Sequence, residues 1–208
     1  MFVKRLNPME EQSMYQAATA GAALLDNLGL PWWASHGSLY GSWCFHGIIP
    51  WDDDLDFAFP REHAERLKQR AVEQGWKYSR LHPFLAKIWN PQWGIHRHPG
   101  VEWTWPFIDI ALYDRIESHK VILVEFDYCR QFKPLPISEM LPTQRYPFGP
   151  LMLPIPKNPE LFLDTVYKSW RTKALSNYWN HRIEKLYPEP QVWANISELR
   201  DKFTFYNV

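Results

Sequence analysis

Asp52, Asp53, Asp54 and Asp56 crowd into one short run that opens directly onto the apolar Phe57-Ala58-Phe59. Side chains on a strand alternate faces, so Asp54 and Asp56 point the same way, about 6 to 7 Å apart. Two carboxylates held like this repel, and burial raises the pKa of at least one unless a cation lies between them. Hard oxygen ligands suit Mg²⁺ or Mn²⁺, which fill their other positions with water and a substrate's phosphate oxygens. The chemistry this spacing points to is phosphoryl transfer. An EF-hand alignment of Asp52, Asp54 and Asp56 fails, because it needs glycine and glutamate where the chain has Phe57 and His63. A solvated acidic turn is the plainer alternative, but the run is pinned between Ile48-Ile49-Pro50-Trp51 and Leu55-Asp56-Phe57.

A third carboxylate, Asp109, stands alone in Phe107-Ile108-Asp109-Ile110-Ala111-Leu112-Tyr113. An unpaired charge in such a strand costs several kcal/mol. It is either paired with a buried arginine, used as a cap, or the third metal ligand on a neighbouring strand, and the upstream pair favours the last. Gly37-Ser38 precedes the run by one short helix, and backbone N–H groups at a helix start can receive a phosphate. Lys87, flanked by Ala86 and Ile88, either sits at a sheet edge with its head in solvent or neutralises a phosphate. His96 and His98 lie in a Trp- and Pro-rich connection from Asn90 to Trp105; zinc there lacks a partner at useful spacing, so a substrate-facing loop that includes Trp103 is the better expectation.

The elements that must position these groups are legible in outline. Asn7-Pro8-Met9-Glu10 has the pattern of a helix start, and the helix it opens ends near Gly29. A short buried strand is predicted from Leu30 to Ser35, then a helix from Gly37-Ser38 to about Gly47. Pro60-Arg61 leads into an amphipathic helix, Glu62 to Gln74, with Ala64, Leu67 and Ala71-Val72 on its apolar face. Strand-like pieces follow at Trp76–Leu81, Phe84–Trp89 and Lys120–Phe126. The segment from Lys133 to Pro159 is proline-rich and is expected to wrap the surface rather than add a sheet. Asn158-Pro159-Glu160 repeats the helix-start signal, with a helix to about Trp170; the final segment, with Trp179, His181, Arg182 and Trp193, carries no pattern specific enough to name.

At 208 residues the chain fits a single domain, 1–208, with its core at about 30–170. Lys plus Arg equals Asp plus Glu at 23 each, so no overall field draws it to nucleic acid. Two cysteines, Cys44 and Cys129, make no disulfide framework and no CxxC zinc site. No apolar run reaches membrane-span length and Met1 to Leu6 lacks a signal core, so the expected location is cytoplasmic, or the Golgi or ER lumen if an N-terminal anchor was removed. Twelve tryptophans exceed ordinary usage. Some simply fill the core, the ordinary role for any single one, and the excess tilts the substrate toward sugars and quaternary ammonium groups, which aromatic faces bind.

The stretch Gly37-Ser38-Leu39-Tyr40-Gly41, then Gly47, then Ile49-Pro50-Trp51-Asp52-Asp53-Asp54-Leu55-Asp56 resembles, in order and spacing, the signature of the LicD family. That family includes bacterial phosphocholine transferases and the fukutin and fukutin-related proteins. Asp109 within Phe-Ile-Asp-Ile is similar to its later single aspartate, and Pro156 to Glu160 with Phe162-Leu163 and Tyr167 resembles its C-terminal helix entry. The resemblance implies a nucleotidyltransferase-like α/β (α+β) fold, a mixed sheet flanked by helices. It implies transfer of a phosphorylated alcohol, phosphocholine or ribitol phosphate, from a CDP-linked donor to the hydroxyl of a glycan or glycoconjugate. In that scheme Asp54, Asp56 and Asp109 hold Mg²⁺ (or Mn²⁺), Asp109 also orients or deprotonates the attacking hydroxyl, Gly37 and Ser38 touch donor phosphates, and Asp52 supports the ligands. The sequence departs from the family at Cys44-Phe45, where members often carry Arg-His, which leaves His46 as the basic candidate in that turn, and at Lys168, where they carry glycine. Attack on the α-phosphate of an NTP, and a catalytically silent glycan- or nucleotide-binding domain, are the alternatives.

Overall fold

Asn7 caps the first helix, α1 (Pro8–Asp26), reciprocally: its side chain accepts from the Met9 and Glu10 N–H groups while Glu10 accepts from the Asn7 N–H. The computed structural model describes residues 2–116, 120–122, 124–125, 130–131 and 134–203. After α1 come β1 (Trp33–Ala34), α2 (His36–Phe45), β2 (Asp56–Pro60), α3 (Ala64–Glu73), β3 (Lys77–His82) and β4 (Leu85–Trp89). They lead through β5 (His96–Arg97) and β6 (Thr104–Trp105) to the long β7 (Phe107–Ile116) and β8 (Lys120–Ile122). Then follow β9 (Val124–Glu125), β10 (Arg130–Gln131), β11 (Leu135–Pro136), α4 (Ile137–Met140), β12 (Gln144–Phe148), β13 (Leu151–Ile155) and α5 (Pro159–Val166). The last elements are β14 (Lys173–Leu175), β15 (Trp179–Asn180), β16 (Lys185–Leu186), β17 (Trp193–Asn195) and α6 (Ile196–Lys202).

The main sheet runs β1-β2-β7-β4-β3, with β8 and β11 extending from the far end of β7. It is mixed: β2 and β7 are parallel, and the remaining pairs are antiparallel. The fully buried Phe57, Phe59, Phe107, Ile108 and Ile110 explain why β2 and β7 occupy its centre. Helix α1 lies so close to β7 that a Cβ on Gly21 would sit 2.1 Å from Ile108 Cδ1. The buried apolar cluster extends from Phe2, Leu6 and Met14 to Ile196 and Leu199, with β2 and β7 in its midst.

Three expectations need correction. The proline-rich segment holds a hairpin, β12 with β13, whose Phe148, Leu153 and Ile155 are buried. Prolines are tolerated there because Pro147 (opposite Met152) and Pro154 (opposite Arg145) fall in pairs two residues apart, and alternate pairs of an antiparallel ladder exchange no hydrogen bonds. The helix opened by Asn158 ends at Val166, not Trp170: Tyr167 turns extended, and Trp170 reaches back to donate its indole N–H to Asp164. Val72 is exposed, so the buried face of α3 consists of Ala64, Leu67 and Ala71. Within the strand expected over Lys120–Phe126, Phe126 lies outside the described residues, as do Cys129 and Lys133.

Candidate metal and phosphoryl-transfer site

Parallel pairing of β2 with β7 sets Asp56 directly beside Asp109. Asp54 precedes Asp56 in the irregular stretch that leads into β2, held on its far side by the Leu55 carbonyl, which accepts from the Asp109 N–H at 2.7 Å. One oxygen from each of Asp54, Asp56 and Asp109 lies within 4.8 Å of the others. An all-oxygen set at that separation could hold a hard divalent cation.

Helix α2 begins against the same point. The Gly37 N–H donates to Asp56 Oδ2 at 2.9 Å and the Asp56 N–H donates to Ser38 Oγ at 2.9 Å. A Cβ on Gly37 would lie 2.9 Å from an Asp52 oxygen and 3.0 Å from one of Asp56, so a larger residue would crowd both carboxylates. Lys87 is buried in β4, between β7 and β3, so it is not an edge lysine. Its ammonium sits 2.8 and 3.1 Å from the two oxygens of Asp109 and 3.2 Å from the centroid of the Phe107 ring. Trp103 stands next to it, its ring 4.9 Å from Lys87 Nζ.

His46 is not part of this group. It caps the opposite end of α2 in the left-handed region, its ring against Tyr146, about 15 Å along the helix from its N-terminal end. His96 and His98 form no metal pair: His96 Nε2 lies 2.8 Å from Glu10 and His98 Nδ1 accepts from the Gly100 N–H.

The C-terminal hairpin β15–β16 and its flanks cover the aspartates from the other side. His181 places Nδ1 2.9 Å from Asp53 Oδ1 and Nε2 3.5 Å from Asp54 Oδ2. The fully buried Asp53 also accepts from Tyr187 Oη and faces Arg182 Nε at 3.5 Å. Asn177 donates to Asp52 at 2.8 Å. No motif in the sequence marks Asn177, His181, Arg182 or Tyr187 as part of this group. The available signal was Asp53: on alternating geometry it faces away from Asp54 and Asp56, so a buried cation had to meet it from elsewhere in the chain.

Electrostatically the centre has too little positive charge. Burial, reinforced by neighbouring carboxylates, pushes Asp52 and Asp56 well above the usual carboxylate range. Burial also raises Asp109, against the pull of Lys87. Burial opposes charge on His181, but Asp54 and Asp53 overcome it and push its pKa up to about 10. Desolvation, reinforced by the same aspartates, raises the partly buried Tyr167 as well. Asp109 has Lys87 and Asp53 has His181 and Arg182, whereas no ion pair among the described residues serves Asp52 or Asp56. A divalent cation on Asp54, Asp56 and Asp109 fits that deficit.

A helix start set against an aspartate pair at the head of a central strand, with a third aspartate on the parallel neighbour, is built here on a mixed α/β domain of the nucleotidyltransferase type. The chain belongs to the family described as LicD/FKTN/FKRP, nucleotidyltransferase domain, which matches residues 29–158. It is 24% identical over 176 residues to an uncharacterised protein of Rickettsia prowazekii (strain Madrid E), covering 82% of this chain and 60% of that one. A similar match to an uncharacterised protein of Rickettsia typhi (strain ATCC VR-144 / Wilmington), also 24% identical, covers 82% of this chain and 50% of that protein. The chain therefore spans about half to three fifths of the length of these curated relatives. Among solved structures, the lincosamide antibiotic adenylyltransferase LnuA, lincomycin-bound, is 12% identical with a TM-score of 0.47, over 71% of this chain and 82% of that one. ANT(2")-Ia in complex with adenylyl-2"-tobramycin is 15% identical with a TM-score of 0.42, over 68% and 69%. Likeness of that extent assigns no chemistry to this chain. Among the described residues no helix is long and apolar enough to cross a membrane.

Proposed function

We propose that the chain transfers a phosphorylated alcohol, of the phosphocholine or ribitol phosphate type, from a CDP-linked donor to a glycan hydroxyl and releases CMP. The observation that carries this reading is the convergence of Asp54, Asp56 and Asp109 oxygens to within 4.8 Å, inside a LicD-family domain. Asp54, Asp56 and Asp109 would hold Mg²⁺ or Mn²⁺, which when bound would supply charge neutralisation for the donor pyrophosphate. Asp109, next to Lys87, accepts a hydrogen bond from the acceptor hydroxyl and takes its proton as the oxygen attacks phosphorus. The bond from that phosphorus to the bridging oxygen breaks in line, and CMP leaves with the electron pair. In this reading the start of α2 serves the donor phosphates through Asp56, since the Gly37 N–H donates to Asp56 Oδ2 and the Ser38 hydroxyl oxygen accepts from the Asp56 N–H. Asp52, bonded to Asn177, stays outside the ligand set and keeps the turn in shape. Trp103 forms an aromatic wall beside Lys87 for the acceptor or the alcohol.

Product identity tests the reading. Incubation with CDP-choline or CDP-ribitol, Mg²⁺ and a hydroxyl acceptor is expected to release CMP. Pyrophosphate released from CTP, with no CMP from either CDP-alcohol, would make the chain a nucleotidyltransferase instead.

A further inference from the structure

Asp56 and Asp109 are oriented by the register of two paired strands, but Asp54 lies in the irregular stretch before β2 and has no strand partner. Something else must aim its carboxylate. The charged side chain facing it is His181, whose Nε2 is 3.5 Å from Asp54 Oδ2. The imidazole is itself held firmly: Nδ1 is 2.9 Å from Asp53 Oδ1, and the ring stands edge-on to Phe107 at 5.9 Å. Asp53 is in turn fixed, wholly buried, with Tyr187 Oη at 3.2 Å and Arg182 Nε at 3.5 Å from its other oxygen. The hairpin that carries His181 is anchored at several points to the body of the fold. The indoles of Trp103 and Trp179 both donate to Glu184, Arg182 donates to Glu10 and to the Arg5 carbonyl, and the Arg5 guanidinium lies 3.7 Å from the Tyr187 ring centroid.

We propose that His181 is a positioning residue for Asp54. Braced through Nδ1 on Asp53, it uses Nε2 to hold the Asp54 carboxylate in the orientation that converges on Asp56 and Asp109. The metal centre is then completed by a C-terminal hairpin that lies outside residues 29–158, the stretch the family match covers. This inference rests on the reading of the three aspartates as a metal site. Groups that hold a ligating carboxylate tune metal affinity, which is where the contact of His181 Nε2 with Asp54 Oδ2 is read out.

Two substitutions separate the two ring nitrogens. His181→Asn keeps an amide near the Nδ1 position, so Asp53 stays bonded and the fold is retained, while the contact to Asp54 is lost. His181→Gln places its amide near the Nε2 position and restores that contact. Mn²⁺ alone, titrated into the full chain and followed by calorimetry or electron paramagnetic resonance, is expected to bind His181→Asn at least about tenfold more weakly than wild type. His181→Gln is expected to recover most of that loss, and melting curves check that both variants are folded. Unchanged Mn²⁺ affinity in His181→Asn, tighter binding there, or an equal loss in both variants would overturn the proposal. A wild-type chain that takes up no Mn²⁺ would remove the metal site and this proposal together, whereas normal wild-type binding with an unaffected His181→Asn removes the proposal alone.

Discussion

At the scale of the residue, the centre trades stability for function. Asp56 is buried beside Asp54 and Asp109, and its pKa is raised first by burial and then by the repulsion of those two carboxylates. Asp56→Asn keeps an oxygen that can accept from the Gly37 N–H and removes one of the repelling charges. It is therefore expected to melt no lower than wild type while losing turnover about a thousandfold or more. Asp109→Asn loses turnover to a similar degree but leaves Lys87 buried without its counter-charge, at about 3 kcal/mol in chemical denaturation. Wild-type turnover in either variant would remove the aspartates from the chemistry. A lower melting point for Asp56→Asn than for Asp109→Asn would contradict the electrostatic account.

At the scale of the element, α2 is the part that brings a helix start to the aspartates, and its seat is tight. A Cβ on Gly41 would lie 2.4 Å from the Gly47 carbonyl oxygen, a backbone atom with little freedom to yield. Gly41→Ala is expected to destabilise the chain by about 2 to 3 kcal/mol. In α1 the obstacle to Gly21→Ala is the end of the Ile108 side chain, so Ile108→Val is expected to restore part of the loss, and denaturant melts of the double variant measure that coupling. These elements differ in how far the sequence revealed them. Helix α1 was legible because Asn7, Pro8 and Glu10 state a cap in local chemistry, and β2 and β7 were legible because each is an apolar run that holds an aspartate at a fixed place. The hairpin β15–β16 was not, since two strands of two residues carry no period and the contacts that fasten it to the aspartates and the aromatic loop reach far along the chain, from Asn177 to Asp52 or Trp103 to Glu184. His46 misled for a related reason: its position in sequence is close to Asp52, but a full helix length separates it from the start of α2.

At the scale of the whole molecule, the charge deficit makes stability depend on pH and on cation together. Asp52, Asp56 and Asp109 have folded-state pKa values above their unfolded ones, so the folded chain binds more protons from the ordinary carboxylate range upward. Stability falls as pH rises through that window. His181 acts in the same direction at higher pH, since its stabilising charge is fully present below 6.5 and is lost as pH climbs through about 10. Without divalent cation the melting temperature is therefore expected to drop between about pH 6 and about pH 8, and saturating Mn²⁺ is expected to flatten that slope. A melting temperature that rises over the same interval without cation would contradict the assignment.

The most direct test of the central claim is isothermal titration of CDP-choline, CDP-ribitol and CTP into the chain, with and without Mg²⁺. The expected result is binding of one CDP-alcohol in preference to CTP, only with Mg²⁺ present, and its loss in Asp54→Asn. Preference for CTP would contradict transfer from a CDP-linked donor, and binding of none of the three would contradict catalysis of this kind altogether.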